Sequence, residues 1–210
     1  MGFAVRNKLL SSIDKSICGT ERICTLKLNC NSGIVHLISA FAPTLHATDE
    51  VKDGFYENLD LVLKEIPQNE QIVLLGDARI GTNSEAWPIC LGPQGHGKLN
   101  DNGQRLLELC TWHNLCITNS YFKTKPWHKV SWQHPRTKVW HQLDYVITRK
   151  EELRNVTLTR TYHSADCDTD HSLVVAKMNI LPRKINLKRN TPGNPKLDIN
   201  KVKNKNLANS

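Results

Sequence analysis

Short apolar runs along the chain predict a protein built mainly from strands. Residues 71–75, Gln-Ile-Val-Leu-Leu, form an almost continuous apolar run that ends in Gly76-Asp77. Such a run is typical of a strand that is covered on both faces. Comparable or alternating runs predict further strands at 23–29, 34–41, 115–122, 129–132, 142–148, 156–162 and 172–178.

Two other segments repeat apolar residues at helical spacing. One helix is predicted to end before Pro67, and Asp101 or Asn102 can cap the second, which His113-Asn114 would close. Because both helices lie between strands, the order predicts a layered α/β or α+β protein rather than a helix bundle. The apolar positions of the first helix are Phe55, Leu59, Val62, Leu63 and Ile66.

The positive charge is concentrated near the end of the chain. The chain has 28 basic and 20 acidic residues. Eight of the basic residues and one acidic residue lie in 182–210, so residues 1–181 contain 20 basic and 19 acidic residues. The net charge of +8 therefore belongs almost entirely to the last segment. We expect a globular domain at 1–181 and a basic, disordered tail at 182–210 that either tethers the chain to a polyanion or serves as a linker.

The cysteines and the apolar runs bear on where the protein is located. Seven cysteines include no C-x-x-C pair, so we expect reduced thiols rather than disulfides or a zinc module. No apolar run is long enough to cross a bilayer, and residues 1–8 do not resemble a signal peptide. The expectation is a nuclear or cytoplasmic monomer that is not secreted, has no membrane contact and shows no evident protein partner.

Four residues with catalytic chemistry stand where predicted strands begin or end. Asp77 follows a buried strand, Asp144 lies in Gln-Leu-Asp-Tyr-Val-Ile, and Asp170-His171 precede Ser-Leu-Val-Val-Ala. Carboxylates bind Mg²⁺, and histidine can take a proton while a second carboxylate orients it. Together they predict a metal-dependent phosphodiesterase site, although each alone is more typical of a turn, a strand-edge residue or a cap.

The segments around these residues occur in a distinctive order: 39–44 (Ser-Ala-Phe-Ala-Pro-Thr), 74–77 (Leu-Leu-Gly-Asp), 130–132 (Val-Ser-Trp), 142–145 (Gln-Leu-Asp-Tyr) and 164–171. That order resembles the endonuclease/exonuclease/phosphatase family. The stretch beginning Asn-Gly-Gln-Arg-Leu-Leu-Glu-Leu-Cys is similar to the apurinic-type endonuclease domain of RTE/BovB-like LINE retrotransposons and to the craniofacial development protein 2-like proteins. The resemblance extends over roughly residues 1–185.

The resemblance implies a fold and an activity. The fold would be a DNase I-like four-layer α/β sandwich of two packed mixed β-sheets flanked by helices, and the cofactor Mg²⁺ or Mn²⁺. Asp77 matches the aspartate that orients or activates the attacking water, and Asp170 matches a metal ligand. His171 matches the histidine that contacts the scissile phosphate, with Asp144 as its carboxylate partner. The implied substrate is DNA, with RNA as an alternative.

Other positions either match or depart from the family pattern. Ser131 and Trp132 match the strand that lies near bound DNA, and Phe41 occupies the position of an expected tyrosine. The sequence Asp77-Ala78-Arg79 replaces Asp-Phe-Asn, so an active-site asparagine is missing. The match also begins at the family's third or fourth strand, so we expect the first strands, which hold an asparagine and a metal-binding glutamate, to be absent.

Three functions follow from this pattern. The first is a Mg²⁺-dependent DNA endonuclease derived from a LINE retrotransposon and impaired by the departures. The alternative is a catalytically inactive relic that binds nucleic acid or a protein. A phosphatase acting on a small substrate is the third, and the LINE-like segments disfavour it.

Overall fold

The apolar runs form one large sheet and three small ones within the described residues. A computed structural model describes residues 2–78, 80–81, 84–164 and 169–183, without the side chains of residues 15–18. Most of the predicted basic tail, residues 184–210, lies outside the described residues. The strands are β1 (Ile13–Gly19), β2 (Ile23–Cys30), β3 (Gly33–Ala40), β4 (Gln71–Asp77), β5 (Ile80–Gly81), β6 (His96–Leu99), β7 (Leu115–Ile117), β8 (Trp132–Gln133), β9 (Trp140–His141), β10 (Asp144–Arg149), β11 (Val156–Tyr162) and β12 (Leu173–Met178).

The large sheet is mixed and has the strand order β1-β2-β3-β4-β10-β7. Its neighbouring strands are antiparallel except β3 and β4, which are parallel. A parallel pair needs a crossover connection, and helix α1 (Asp49–Lys64) lies in that connection. The β2–β3 turn depends on Gly33, whose φ of +120° is a conformation that other residues rarely adopt.

The two α-helices, α1 and α2 (Asp101–Trp112), follow the predicted apolar pattern. The cap of α2 was predicted one or two residues too late: Asn100 is the N-cap, and its Oδ1 accepts a hydrogen bond from the Gly103 N–H at 2.8 Å. Asn102 instead donates through Nδ2 to the carbonyl of Pro43 at 2.7 Å. The predicted end of α2 is confirmed, since Asn114 has a φ of +52° and lies just past His113.

Short 3₁₀ helices span Asn7–Ser12, Thr118–Ser120, Pro126–His128 and Lys150–Asn155.

The two faces of the large sheet pack against different layers. On one face, alternate residues such as Leu74 and Ile147 pack with Phe55 and Leu59 of α1 and with α2. On the other face, the intervening residues pack against β12 of the two-stranded β11–β12 sheet. The predicted mixed α/β class, with packed sheets and flanking helices, is confirmed. The residues packed on this second face are Leu28, Cys30, Val35, Val73, Val146, Val174, Ala176 and Met178.

The predicted strand 115–122 is longer than the observed one, because polar side chains end it early. The segment 115–122 forms β7 only as far as Ile117, after which Thr118–Ser120 turns as a 3₁₀ helix. There Thr118 Oγ1 donates to the carbonyl of Val146, and Ser120 Oγ donates to that of Ile117. These side chains compete with a regular ladder, so the strand ends. The predicted strand 129–132 coincides with β8 only at Trp132, and strands β1, β5, β6 and β9 were not predicted.

No helix within the described ranges is both long enough and apolar enough to cross a membrane. The five cysteines whose side chains are described are free thiols: Cys24, Cys30, Cys90, Cys110 and Cys116. Burial raises the pKa of the Cys116 thiol to about 12, so this group is uncharged at neutral pH. The side chains of Cys18 and Cys167 lie outside the described part of the chain.

The core on the helix side gives the first prediction. Leu74 is fully buried between the sheet and α1, whereas Leu61 on the outer face of α1 is 58% exposed. We expect Leu74→Ala to lower the free energy of unfolding by about 2–5 kcal/mol, because it removes buried contacts and leaves a cavity. Leu61→Ala should change it by less than about 0.5 kcal/mol. Urea denaturation followed by circular dichroism measures both, and equal effects would contradict this core assignment.

Candidate active site

The register of β4 and β10 brings two of the predicted carboxylates together. Asp77 and Asp144 are directly opposite each other in this antiparallel pair. Opposite residues of an antiparallel pair point to the same face. That face is the one that packs against β12, since Val73 and Val146 of the same strands lie there. The pairing continues beyond the strand, where the Ala78 N–H donates to the carbonyl of Leu143 at 3.0 Å.

His171 joins this pair from the segment that leads into β12. Its Nδ1 lies 3.0 Å from Asp144 Oδ2. Its Nε2 forms no hydrogen bond with a described residue. Thr169 holds the turn before it, because Thr169 Oγ1 accepts a hydrogen bond from the His171 N–H at 3.0 Å. The predicted His–Asp pair is therefore formed in the structure.

The surroundings of His171 favour its protonated form. The hydrogen bond to Asp144 raises the pKa of His171 above its ordinary value of 6.5, and partial burial opposes this. The negative charges of Asp144, Asp77 and Asp170 raise the pKa further. An imidazolium at this position would attract an anion such as a phosphate.

Asp170 lies to one side of the Asp77–Asp144–His171 group. Trp132 Nε1 donates to Asp170 Oδ2 at 2.6 Å, and the Gln133 N–H donates to the Asp170 carbonyl at 3.1 Å. The backbones of Trp132 and His171 also form an isolated antiparallel β-bridge. The hairpin of β8 and β9 thus fixes Asp170 in position, and Trp132 contacts this carboxylate.

Buried polar side chains position the start of β10. Ser131 is completely buried, and its Oγ accepts hydrogen bonds from the N–H groups of Leu143 and Asp144 at 3.2 and 3.1 Å. Asn119 donates through Nδ2 to the Asp144 carbonyl at 3.1 Å and accepts from the Val146 N–H at 2.9 Å. Sequence reasoning missed Asn119, because no motif marks an asparagine 25 residues from the group that it holds.

A cavity of about 440 Å³ lies beside these groups. Asp77, Asp144, His171 and Phe41 all line it. Phe41 is half exposed, and the Arg22 guanidinium lies 5.7 Å from the centre of its ring. Arg22 is a cation beside Phe41 that the sequence did not single out.

A divalent ion needs several oxygen ligands. Among the described residues, no group of three or more His, Cys, Asp or Glu side chains could hold a metal. Trp132 bonds one oxygen of Asp170, and His171 bonds one oxygen of Asp144. Mg²⁺ prefers oxygen ligands and is commonly bound by one or two carboxylates together with waters and substrate phosphates. Such an ion would take most of its ligands from water and from a phosphate, because the described residues form no closed metal site.

Comparison with known proteins agrees with the expected resemblance. No protein-family model matches the chain. Over 176 residues the chain is 29% identical to craniofacial development protein 2 of Bos taurus. The aligned region covers 84% of this chain and 29% of that protein. The protein of the same name from Tragulus javanicus is 29% identical over 160 residues, or 76% of this chain and 28% of that protein. The chain thus spans less than a third of the length of these curated relatives.

Solved structures decide the fold. The endonuclease domain of TRAS1, a telomere-specific non-LTR retrotransposon, has a TM-score of 0.55 with 13% identity over 79% of this chain and 70% of that one. An endonuclease/exonuclease/phosphatase family protein from Leptotrichia buccalis has a TM-score of 0.51 with 15% identity over 74% and 52% of the two chains. The chain has the endonuclease/exonuclease/phosphatase fold. The same fold is seen in the 3′ phosphatase NExo from Neisseria, bound to a product DNA hairpin, with a TM-score of 0.58, 15% identity and 80% and 72% coverage.

The His171–Asp144 pair gives a prediction about pH. Because the hydrogen bond to Asp144 is the largest cause of the raised pKa, Asp144→Asn should return the pKa of His171 toward 6.5. A pKa that is raised in the folded state stabilises the fold below the ordinary value, and this contribution disappears as the pH rises through the raised value. Asp144→Asn should therefore weaken the extra stability on the acidic side.

Nuclear magnetic resonance titration of the imidazole Cε1–H measures this pKa directly. Asp170→Asn is the matched control, since Asp170 is the smallest of the causes that raise the pKa of His171. A larger decrease in Asp170→Asn than in Asp144→Asn would show that the pair does not set this pKa.

Proposed function

We propose that this chain is a phosphodiesterase domain of the endonuclease type that acts on DNA with Mg²⁺ or Mn²⁺. The observation that carries the proposal is the His171–Asp144 pair, which lies beside Asp77 on one wall of a cavity. A histidine oriented by a carboxylate next to a second carboxylate is suited to hydrolysis of a phosphate ester. The ordered motifs between residues 39 and 171 support descent from a LINE retrotransposon.

Each described residue has a role in this proposal. His171, protonated and oriented by Asp144, donates from Nε2 to a non-bridging oxygen of the scissile phosphate. Asp77 orients the attacking water and accepts its proton. Ser131 is a positioning residue, because its hydroxyl is occupied by the backbone of β10 and its side chain is buried. Trp132 positions Asp170 and presents its ring beside it.

Asp170 would hold the metal together with phosphate oxygens. The ion, when bound, neutralises negative charge on the phosphate. Asp170 is the protein ligand that the family resemblance assigns, and Trp132 bonds only its Oδ2. With so few protein ligands, we expect metal affinity to be weak without DNA and to increase with it.

Two observations favour slow catalysis, and they keep a binding role as the alternative function. Phe41 lines the cavity without a hydroxyl that could contact a phosphate. The residues Ala78-Arg79 follow Asp77 where the resembled family has Phe-Asn. If these losses abolish turnover, the domain would bind nucleic acid or a protein without cutting it.

Nicking of supercoiled plasmid tests the proposal. The purified chain should convert supercoiled to open-circular DNA in Mg²⁺ or Mn²⁺, and EDTA should prevent this. His171→Ala should reduce the rate by at least about a hundredfold, which is typical for loss of a group that stabilises developing charge. The matched control is His46→Ala, which removes an exposed histidine that does not line the cavity.

The outcomes separate the two functions. Nicking that is lost in His171→Ala and kept in His46→Ala supports the endonuclease. Wild-type chain that does not nick but retards DNA in a gel supports the binding role. Equal nicking by wild type and His171→Ala would mean that a contaminant cuts the plasmid.

Phe41 allows a prediction of increased activity. Phe41→Tyr would add a hydroxyl at the cavity, beside the proposed phosphate position. We expect the nicking rate to rise by about tenfold or more, because one well-placed donor has an effect of this size or larger. Phe41→Leu is the control, since it changes the ring without adding a donor. A plasmid assay at saturating Mg²⁺ measures the rates, and equal rates in both variants would contradict a phosphate contact at this position.

A further inference from the structure

Three rings form a compact stack on the side of the β8–β9 hairpin away from Trp132. The rings of Trp127 and His163 are stacked, with centroids 4.0 Å apart and planes at 30°. Trp140 meets both edge-on, at 5.0 Å from Trp127 and 4.8 Å from His163. The hairpin register explains the separation, because Trp140 is opposite Gln133 whereas Trp132 is opposite His141.

Hydrogen bonds fix the imidazole of His163 within this stack. His163 Nε2 donates to the carbonyl of Trp127 at 2.7 Å, and Nδ1 accepts from Ser172 Oγ at 2.8 Å. Both ring nitrogens are therefore hydrogen-bonded, so the imidazole serves as a rigid support. Ser172 directly follows His171, which connects the stack to the candidate active site.

The ring of Trp127 is accessible. Trp127 is 49% exposed although it contacts two other rings. A large aromatic side chain that is both held in place and half exposed is suited to stack on a flat partner. The proposed function in DNA hydrolysis makes a nucleobase the flat partner that the site would meet.

The charge around the stack matches a polyanion. Residues 122–141 hold five basic residues, no acidic residue and three of the five tryptophans of the chain. Within the described part of the chain, none of these five cations forms an ion pair. Cations interleaved with aromatic rings are typical of surfaces that bind single-stranded nucleic acid. The cations are Lys123, Lys125, Lys129, Arg136 and Lys138.

We propose that Trp127, supported by His163 and Trp140, is a stacking platform for unpaired bases of a DNA substrate. The inference rests on the proposed function and specifies its substrate as DNA with a single-stranded segment beside the site to be cut. Stacking tolerates any base sequence, because every base has a π-face. Phosphates of the same strand would lie along the cations of residues 122–141.

Fluorescence anisotropy with a labelled single-stranded oligonucleotide of about 12 nucleotides tests the platform. The measurement is made in EDTA, so no cleavage is needed. Trp127→Ala should weaken binding by at least about fivefold, because one base–aromatic stack is lost. Binding of a strand with the same phosphates but tetrahydrofuran residues in place of nucleosides should not change, since that strand has no bases to stack.

Two further variants guard against loss of fold. Trp127→Leu keeps much of the apolar volume without a π-face and should weaken binding as Trp127→Ala does, whereas Trp127→Phe should retain most of it. Trp112→Ala is the matched control, because Trp112 is 77% exposed at the end of α2 and contacts none of these rings. Melting curves of all variants verify the fold.

The results distinguish this inference from the proposed function. Equal binding by wild type and Trp127→Leu, or equal loss on the strands with and without bases, would overturn the platform. Base-dependent binding without any nicking would support the platform while the endonuclease assignment fails. Nicking of duplex plasmid without base-dependent binding would support the endonuclease assignment and overturn the platform.

Discussion

The antiparallel register between β4 and β10 is the constraint on which the candidate site depends. It places Asp77 opposite Asp144 on the face of the sheet that β12 covers. A slip of one residue would turn one carboxylate toward the helices and bury it among apolar side chains. The pairing of Leu74 with Ile147 in the helix-side core opposes such a slip, because both side chains would leave that core.

Polar contacts at the other end of the pair reinforce the same register. Thr148 Oγ1 donates to the carbonyl of Ile72 at 2.8 Å. Arg149 donates through Nε to the carbonyl of Glu70 at 2.9 Å and through a terminal nitrogen to that of Pro67 at 3.1 Å. These groups are buried or partly buried, so breaking their bonds leaves unsatisfied donors. The register is therefore fixed at both ends of β10, by Arg149 at one and by Ser131 at the other.

Sequence reasoning could predict the elements whose signal is local. Continuous apolar runs gave the central strands, and the motif around Asp170-His171 predicted its meeting with Asp144. The cap of α2 has a local signal, but Asn100, Asp101 and Asn102 are all favourable caps, so the sequence did not choose between them. The hydrogen bonds of Asn119 and the position of Arg22 were not predictable in this way, because their partners are distant along the chain. Pattern and composition do not encode such pairings, so only the folded chain shows them.

The charge of the candidate site is complementary to that of the basic segment 122–141. Asp77, Asp144 and Asp170 gather three negative charges around one imidazole, and a phosphate would be repelled by them unless positive charge were added. The nearly neutral domain contains positive charge in the segment 122–141, which includes Trp132, the residue that bonds Asp170. A divalent ion bound between Asp170 and a phosphate would supply the rest. In the proposed function, substrate and metal would then each lower the cost of binding the other.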